Sequence, residues 1–421
     1  MLTFGRLCGI TTLSKPLGSD FLKTKLRPAS GTGLLLLFAA AYFVSYLTRV
    51  NYATIISEME LATNFPRDLL SLALTGSFIT YGAGQLVSGI LGDLISPKKL
   101  LATGIGLTAC MNLLLPLYRD PWWMLAVWCV NGFAQSFIWP PLVKLMTMLL
   151  PEKDYHKGVL WASYGCSLAT ILLYLLSPVV LRWFGWKVIF FGAAAVALVM
   201  LAVWLRYCPE PEAEAPVKTA RGKGSRLLFA PVMLGIMLAI ILHGMLKEGV
   251  STWMPSYISD TYQLDNRIAI LSGVIMPIFS VVSVKLSALV FKRFFKNPVA
   301  CSVAVFSVST LAALLLPLIG NAAASILLMA LLTGSMHGIN LMLISTIPPF
   351  FKKMGAVSTT SGLLNACTYI GSAASTYGIA VLSERFGWAL TLWTWVAMAG
   401  GGLLLCLVCF RSFRKKIMEA A

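Results

Sequence analysis

Hydrophobic residues run along this chain in long unbroken stretches, separated by short polar or charged segments. A helix needs about 20 consecutive apolar residues to cross the hydrocarbon of a bilayer, whereas the strands of a membrane barrel alternate apolar and polar positions. Twelve stretches follow the helical pattern, at roughly 31–57, 69–92, 99–118, 122–147, 157–181, 186–207, 229–258, 267–290, 298–319, 323–350, 356–382 and 387–410. They are numbered here as spans 1 to 12. Each is too long for a strand, and a backbone in lipid must satisfy its own hydrogen bonds, so all twelve are predicted to be helices. The expected fold class is all-α integral membrane.

The longest polar stretch, 208–227, is charged, contains Pro and Gly, and divides the chain near its middle. It reads as a flexible linker between two six-helix bundles. The predicted organisation is a cytoplasmic tail over 1–30, an N-terminal bundle over 31–207, a cytoplasmic linker over 208–227, a C-terminal bundle over 228–410 and a cytoplasmic tail over 411–421. The two halves echo each other. Phe184-Gly185-Trp186 after span 5 matches Phe386-Gly387-Trp388 after span 11. Trp139-Pro140-Pro141 late in span 4 matches Ile347-Pro348-Pro349 late in span 10, and Arg49 in span 1 stands at nearly the same offset from Lys247 in span 7. This argues for a duplicated six-helix unit in parallel repeat.

Composition agrees. Hydrophobic residues make up 58% of the 421 residues and charged ones 12%, with a mean hydropathy of +0.82. A soluble chain runs at roughly 45–50% apolar and about 25% charged. A soluble globular fold, a disulfide scaffold, a disordered chain and a collagen-like fibre are excluded. A net charge of +17 would suggest nucleic acid in a soluble chain. In a membrane protein, basic residues collect in cytoplasmic loops, so no nucleic-acid partner is expected. With both termini inside, only Arg67, Arg119, Arg182, Lys187, Arg267 and Arg385 fall in outside loops, and Arg49, Lys144, Lys247 and Lys285 fall within spans. The rest of the 33 Lys and Arg are inside, which sets the orientation. Residues 1–30 do not read as a secretory signal, because the first apolar run lacks a small-residue cleavage site and leads into an Arg-containing segment. The nine cysteines sit mostly in apolar runs and read as small packing residues, Cys406 and Cys409 included despite their CxxC spacing.

The charges inside the spans carry the chemistry. A buried Arg or Lys costs about 2.5–3.5 kcal/mol on insertion scales, so Arg49 and Lys247 require a wet cavity and an anion, or an acidic partner. Glu248 is the acid at hand, but neighbouring helix positions point about 100° apart. Polar residues recur on one helix face around each cation: Tyr42, Ser45, Tyr46, Arg49 and Tyr52 in span 1, and His243, Lys247 and Ser251 in span 7. Asn131, Gln135 and Trp139 in span 4 and Asn365, Tyr369, Ser372 and Thr376 in span 11 form two more stripes. One such stripe is explained by interhelical hydrogen bonds; four together, two with a cation, favour a shared aqueous cavity. His243 and His337, the latter above Asn340, read either as satisfied interhelical donors or as protonatable groups. Lys144 and Lys285 are expected to snorkel to the interface. No phosphate-binding glycine loop, metal-ligand spacing or nucleophile–base pair stands out, so neither an enzyme, a cofactor nor a metal is expected.

The loop after span 2, with Gly89, Gly92, Asp93, Lys98 and Lys99, resembles the signature loop G-x-L-x-D-(x)n-K/R-K/R of the major facilitator superfamily. Its counterpart after span 8, SALVFKRFFKN, lacks the acid and the glycines, so a gating clamp is expected mainly in the first half. The segments Tyr46-Leu47-Thr48-Arg49-Val50-Asn51-Tyr52, Trp139-Pro140-Pro141 and Lys247-Glu248-Gly249-Val250, with Trp253, Pro255 and Tyr257 beyond, resemble the organophosphate:phosphate antiporters of that superfamily. These include bacterial glycerol-3-phosphate and hexose-phosphate transporters, and the resemblance runs through all twelve spans. It implies a fold of twelve transmembrane helices in two bundles and a basic pair, Arg49 and Lys247, that binds the phosphate group and its exchange partner, inorganic phosphate. Lys247 stands where the glycerol-3-phosphate carriers have Arg, and Tyr164 where a histidine is expected.

The expected function is secondary active transport of a small anionic metabolite by alternating access. The favoured substrate is a sugar or glycerol phosphate exchanged for inorganic phosphate. Arg49 and Lys247 are expected to hold the anion, and Tyr42, Tyr46, Gln135, Tyr164, His243 and Asn365 the rest of it. A proton-coupled symporter of a sugar acid, titrating Glu248 or His243, and a non-transporting sensor on the same fold remain alternatives. The expected setting is the cytoplasmic membrane of a bacterium, as a monomer.

Overall fold

The computed structural model describes residues 31–65, 67–211, 227–263 and 275–419. The tail 1–30, most of the linker and Arg267 lie outside the described residues. Span 1 is the helix Gly31–Thr54, followed by the short helix Ile56–Thr63. Spans 2, 3, 5 and 6 are Arg67–Leu94, Pro97–Leu114, Glu152–Phe184 and Lys187–Tyr207. Spans 7, 8 and 9 are Pro231–Tyr262, Ile275–Phe294 and Pro298–Leu315. Spans 11 and 12 share the range Val357–Phe413 and are separated by Gly387, at φ 77° and ψ 175°.

Spans 4 and 10 are broken. Span 4 runs as Pro121–Gln135 and then Trp139–Leu149. Pro140 and Pro141 have no N–H to give to the carbonyls four residues back, so the regular ladder stops there. The amides of Phe137 and Ile138 turn instead to carbonyls three residues back, at 3.1 and 3.2 Å. Span 10 runs as Ala322–Ile339, a wide π turn over Asn340–Ser345, and a tight 3-10 stretch over Pro348–Met354.

Among the described residues, nine helices are long and apolar enough to cross a membrane. The three predicted spans outside that set are 2, 4 and 11. Span 4 is divided by its prolines into helices of 15 and 11 residues. Spans 2 and 11 are diluted by polar residues that face protein rather than lipid. Ser77, Gln85 and Ser88 of span 2 are buried, as are Ser358, Thr360, Ser361, Asn365, Thr368 and Ser375 of span 11.

Spans 1 to 6 pack on one another, and so do spans 7 to 12; the two groups meet where span 2 lies along span 11 and span 5 touches span 8. The C-terminal group has one continuous apolar core, from Leu228 to Ile417. The N-terminal group has one core around Tyr52, Trp128 and Phe190, and a second, around Phe38, Trp139 and Trp204, that crosses the boundary to Val284, Leu341 and Met342. Large apolar side chains such as Phe78, Ile79, Val199, Leu404 and Val408 cover the outside, the belt a bilayer requires.

The duplication is written in turn geometry. Gly185 and Gly387 adopt the same left-handed conformation, φ 73° and 77°. Spans 3 and 9 each end in a 3-10 turn of sequence Leu-Pro-Leu. Asp120 caps span 4 and Asn321 caps span 10 through their side-chain oxygens. Asn64 and Gln263, after spans 1 and 7, share a positive φ of 58° and 54°. Each pair is about 200 residues apart, one cap or turn requirement met twice. On this register Trp139 corresponds to Asn340 and not to Ile347, so the two Pro-Pro breaks sit at different depths.

Close helix contact depends on glycines. A Cβ at Gly132 would lie 2.3 Å from the carbonyl oxygen of Ser77 and 2.7 Å from the Thr80 hydroxyl, across spans 4 and 2. Gly192 has nothing within 4 Å. Gly132→Ala is expected to cost about 1–3 kcal/mol by overpacking and to lower the thermal midpoint in detergent by several degrees. Gly192→Ala should leave it unchanged.

Candidate functional site

A cavity of about 130 Å³ lies between the two groups of helices. A single water needs roughly 10–15 Å³ on this scale, so the space holds a small metabolite or a cluster of waters. Span 1 contributes Tyr42 and Tyr46, span 2 Tyr81, span 4 Trp139, and span 5 Ser163, Tyr164 and Cys166. From the other side come Lys247 of span 7, Ser280 of span 8, His337 and Asn340 of span 10, and Asn365 and Tyr369 of span 11. The break in span 4 sets Trp139 on the wall, and the π turn does the same for Asn340.

Of the residues singled out in the sequence, the cavity brings together Tyr42, Tyr46, Tyr164, Lys247 and Asn365. Arg49 stands behind that wall. Its guanidinium lies over the Tyr46 ring at 4.4 Å and the Tyr81 ring at 4.9 Å. A ring face over a partly buried guanidinium is worth about 0.5–1 kcal/mol or more. Tyr81 in turn packs edge-on against Tyr369 of the opposite bundle, with centroids 4.7 Å apart. Among the described residues neither Arg49 nor Lys247 is paired with a carboxylate. Lys247 lines the cavity and Arg49 rests on two rings that line it, so both charges stand about one cavity. Glu248 is off the cavity wall and within electrostatic reach of Tyr369.

Gln135 and His243 are placed elsewhere. Gln135 points into the N-terminal bundle, where its amide donates to Thr48 at 2.9 Å and Thr108 at 2.8 Å and its oxygen accepts from Ser45 at 2.6 Å. Asn131 joins the same network through Thr108 and the Thr48 carbonyl, and Asn112 links it to Asn51 at 2.8 Å. His243 is fully buried and its Nε2 meets the Met336 carbonyl at 2.9 Å, tying span 7 to span 10. The polar stripe of span 1 therefore serves two ends. Tyr42 and Tyr46 face the cavity, while Ser45, with Thr48 and Asn51 further round the helix, faces the bundle core. Tyr52 is also core: its hydroxyl donates to the Leu70 carbonyl at 3.0 Å and its ring packs on Trp128 at 5.1 Å. The side chain of Thr376 lies outside the described residues. Tyr81 was not found from sequence, because nothing in span 2 marks it until Arg49 is seen beside it.

The face carrying the basic loops is closed by side chains of one bundle that reach unsatisfied backbone of the other. Asp93 accepts from the amides of Ser358 and Thr359 at 3.0 and 2.7 Å, so it caps span 11 from across the boundary. Lys144 does not snorkel. It pairs with Asp93 at 3.4 Å and donates to the Gly92 carbonyl at 2.9 Å. Lys352 donates to the Thr147 carbonyl at 2.8 Å, in the last turn of span 4. The Tyr155 hydroxyl donates to the Ser345 carbonyl, which Pro349, four residues on, cannot satisfy. Gly89 and Gly92 permit this approach: a Cβ on them would lie 2.9 Å from the Ser358 carbonyl and 2.1 Å from the Ser358 hydroxyl. Lys98 lies 3.9 Å from Glu210, and Lys99 contributes backbone, its amide to the Ser96 cap and its carbonyl to the Thr103 hydroxyl. The clamp thus runs through Asp93 and Lys144 rather than through the basic residues of its own loop.

Residues 38–376 match the profile of the Major Facilitator Superfamily. The chain belongs to that superfamily. This facilitator is a multi-pass membrane protein with the family's twelve-helix, two-bundle fold. It is 24% identical over 382 residues to the glycerol-3-phosphate transporter of Bacillus subtilis, covering 82% of this chain and 84% of that one. It is 24% identical over 161 residues to a probable hexose phosphate transport protein of Chlamydia muridarum, or 38% of this chain; the match spans about a third, 35%, of that relative's length. A 256-residue stretch, 55% of the chain, is 25% identical to the membrane sensor protein UhpC of Salmonella typhimurium, covering 58% of it. Among solved structures, the facilitator FucP in its outward conformation superposes with a TM-score of 0.71 at 15% identity, over 91% of this chain and 98% of that one. The proton:xylose symporter XylE gives a TM-score of 0.71 at 14% identity, over 91% and 94%. Those two share the fold.

The placement of Gln135 in this facilitator is testable. Gln135→Ala should remove three hydrogen bonds, leave the Ser45 hydroxyl without its acceptor and cost about 1–3 kcal/mol of stability. Ligand affinity should stay within a few-fold of the parent, read by thermal unfolding in detergent with and without ligand.

Proposed function

We propose that this protein carries a small phosphorylated metabolite, a sugar phosphate or glycerol phosphate, across the cytoplasmic membrane of a bacterium in exchange for inorganic phosphate. Both termini lie in the cytoplasm, on the face with the basic loops. The observation that carries this reading is the pair of cations, Arg49 and Lys247, set about one cavity from opposite bundles with no carboxylate partner among the described residues. Relatives named as glycerol-3-phosphate and hexose phosphate transporters support it.

The mechanism follows from charge. Two desolvated cations repel, and each is costly in a medium of low dielectric. A phosphate group in the cavity accepts hydrogen bonds from the Lys247 ammonium and, as the Tyr46 and Tyr81 rings give way, from the Arg49 guanidinium fork, and offsets both charges. The bundles then close over a neutralised site. With the site empty, closure has to desolvate uncompensated charge, so the carrier returns readily only when loaded. That is exchange. The organic part of the substrate meets the ring faces and hydroxyls of Tyr42, Tyr46, Tyr164 and Trp139, with Asn365 as a further donor or acceptor.

The test is purified protein in phosphate-loaded liposomes, with entry of labelled phosphate as the readout. Arg49→Gln and Lys247→Gln should each lower exchange about thirtyfold or more while the protein remains folded, the effect of removing one member of a buried charge pair. Lys247→Arg should retain exchange. Normal exchange by Arg49→Gln would overturn the site. Uptake driven by a proton gradient without internal phosphate would transfer the assignment to symport. Tight binding without flux would point to a sensor.

A further inference from the structure

Between the cavity and the basic face, spans 2 and 11 meet along a seam that the cavity does not explain. Moving away from the cavity by helical turns, span 2 presents Tyr81, Gln85, Ser88 and Gly92, and span 11 presents Tyr369, Asn365, Ser361 and Ser358. Spacings of three and four put each series on one helix face. The helices touch through glycine: a Cβ at Gly362 would lie 2.2 Å from the Gln85 carbonyl oxygen and 2.9 Å from the Cα of Gly89. Gln85, Ser88, Ser358 and Ser361 are completely buried. Among the described residues, neither end of the Gln85 amide, nor the hydroxyl of any of the three serines, has a hydrogen-bond partner.

Four unpartnered polar side chains at one interface are unusual, since buried polar groups are nearly always paired. The same helix shows the ordinary solution close by. Thr360 donates back to the Ala356 carbonyl at 2.6 Å, and Ser375 donates to the Met245 carbonyl at 2.7 Å. A packing role alone would be met better by alanine and leucine. These groups are unfavourable while the seam is shut and lose that penalty when water reaches them. At the far end of the seam stands the Asp93 cap on Ser358 and Thr359, which holds it shut.

We propose that Gln85, Ser88, Ser358 and Ser361 form the cytoplasmic leg of the transport path, closed in this conformation and hydrated when spans 2 and 11 part. Their unmatched polarity favours that parting, and the Asp93–Lys144 clamp opposes it. Once open, the amide and hydroxyl donors line the route by which an oxyanion leaves the cavity. The proposal rests on the alternating-access reading above but not on the identity of the substrate.

Single cysteines at these positions, Ser88→Cys and Ser361→Cys, test it in membrane vesicles of either orientation. A membrane-impermeant maleimide is the probe, and the parent chain gives the background from native cysteines. Both positions should label from the cytoplasmic face only. In an Asp93→Asn background, which weakens the cap, labelling should be at least tenfold faster. No labelling from the cytoplasmic face in either background, or equal labelling from the outer face, would overturn the proposal. The alanine variants Ser88→Ala and Ser361→Ala give a second measurement. Each should raise the thermal midpoint in detergent and slow phosphate exchange about fivefold or more, because the shut seam no longer buries an unpaired hydroxyl. A lowered midpoint with unchanged exchange would mean that the hydroxyls are satisfied in the shut state, and the proposal would fall. If labelling behaves as expected but phosphate does not exchange, the seam stands and the substrate assignment fails.

Discussion

A guanidinium held within the span of a membrane helix must find compensation, and Arg49 finds it in aromatic rings, with no acid paired to it among the described residues. Tyr46 and Tyr81 present ring faces at 4.4 and 4.9 Å, and Tyr81 rests in turn on Tyr369 of the other bundle. A ring face stabilises a cation without cancelling its charge, so the charge remains available to an anion. A carboxylate at the same place would have made a buried ion pair, closed to ligands and costly to break. The contact also crosses the bundle boundary through Tyr81 and Tyr369, so a change at Arg49 bears directly on how the two halves meet.

The opposite constraint governs the basic face. There the joints are between side chains and backbone that secondary structure leaves unsatisfied: the first amides of span 11, the last carbonyls of span 4 and the carbonyl freed by Pro349. Such joints add no new charge to the interface beyond Asp93, Lys144 and Lys352, and each is broken by a modest separation of helix ends. A closure assembled from a few directional contacts over glycine-thinned helices is firm when formed and lost as a unit. That property suits a boundary that has to exist in two states. The relation between the two halves follows the same economy. One six-helix unit supplies matched turns at Gly185 and Gly387 and matched caps at Asp120 and Asn321, and the halves differ chiefly where function divides them.

Much of the fold was legible because lipid imposes a single rule. A backbone in hydrocarbon must be helical, so run length alone located the spans. The hydropathy signal weakened at spans 2, 4 and 11, where residues facing protein carry polar groups or a proline break. The cation pair was legible for the converse reason: Arg49 and Lys247 are conspicuous where charge is expensive. The polar stripes were legible only as periodicities. Period shows that residues share a face, but not whether that face meets a cavity or another helix.

The sequence by itself determined the membrane class, the helices, the doubling of the chain and the two cations, because these depend on local composition and spacing. Tertiary structure alone decided that Gln135 and His243 are hydrogen-bonded inside the bundles, that Tyr81 shares Arg49 with Tyr46, that Lys144 is drawn inward to Asp93, and that Trp139 and Asn340 line one cavity from opposite sides. Each of those outcomes depends on which faces of separate helices are brought together. A helix carries its own period within the chain, but its rotation and depth against its neighbours are set by packing among all twelve.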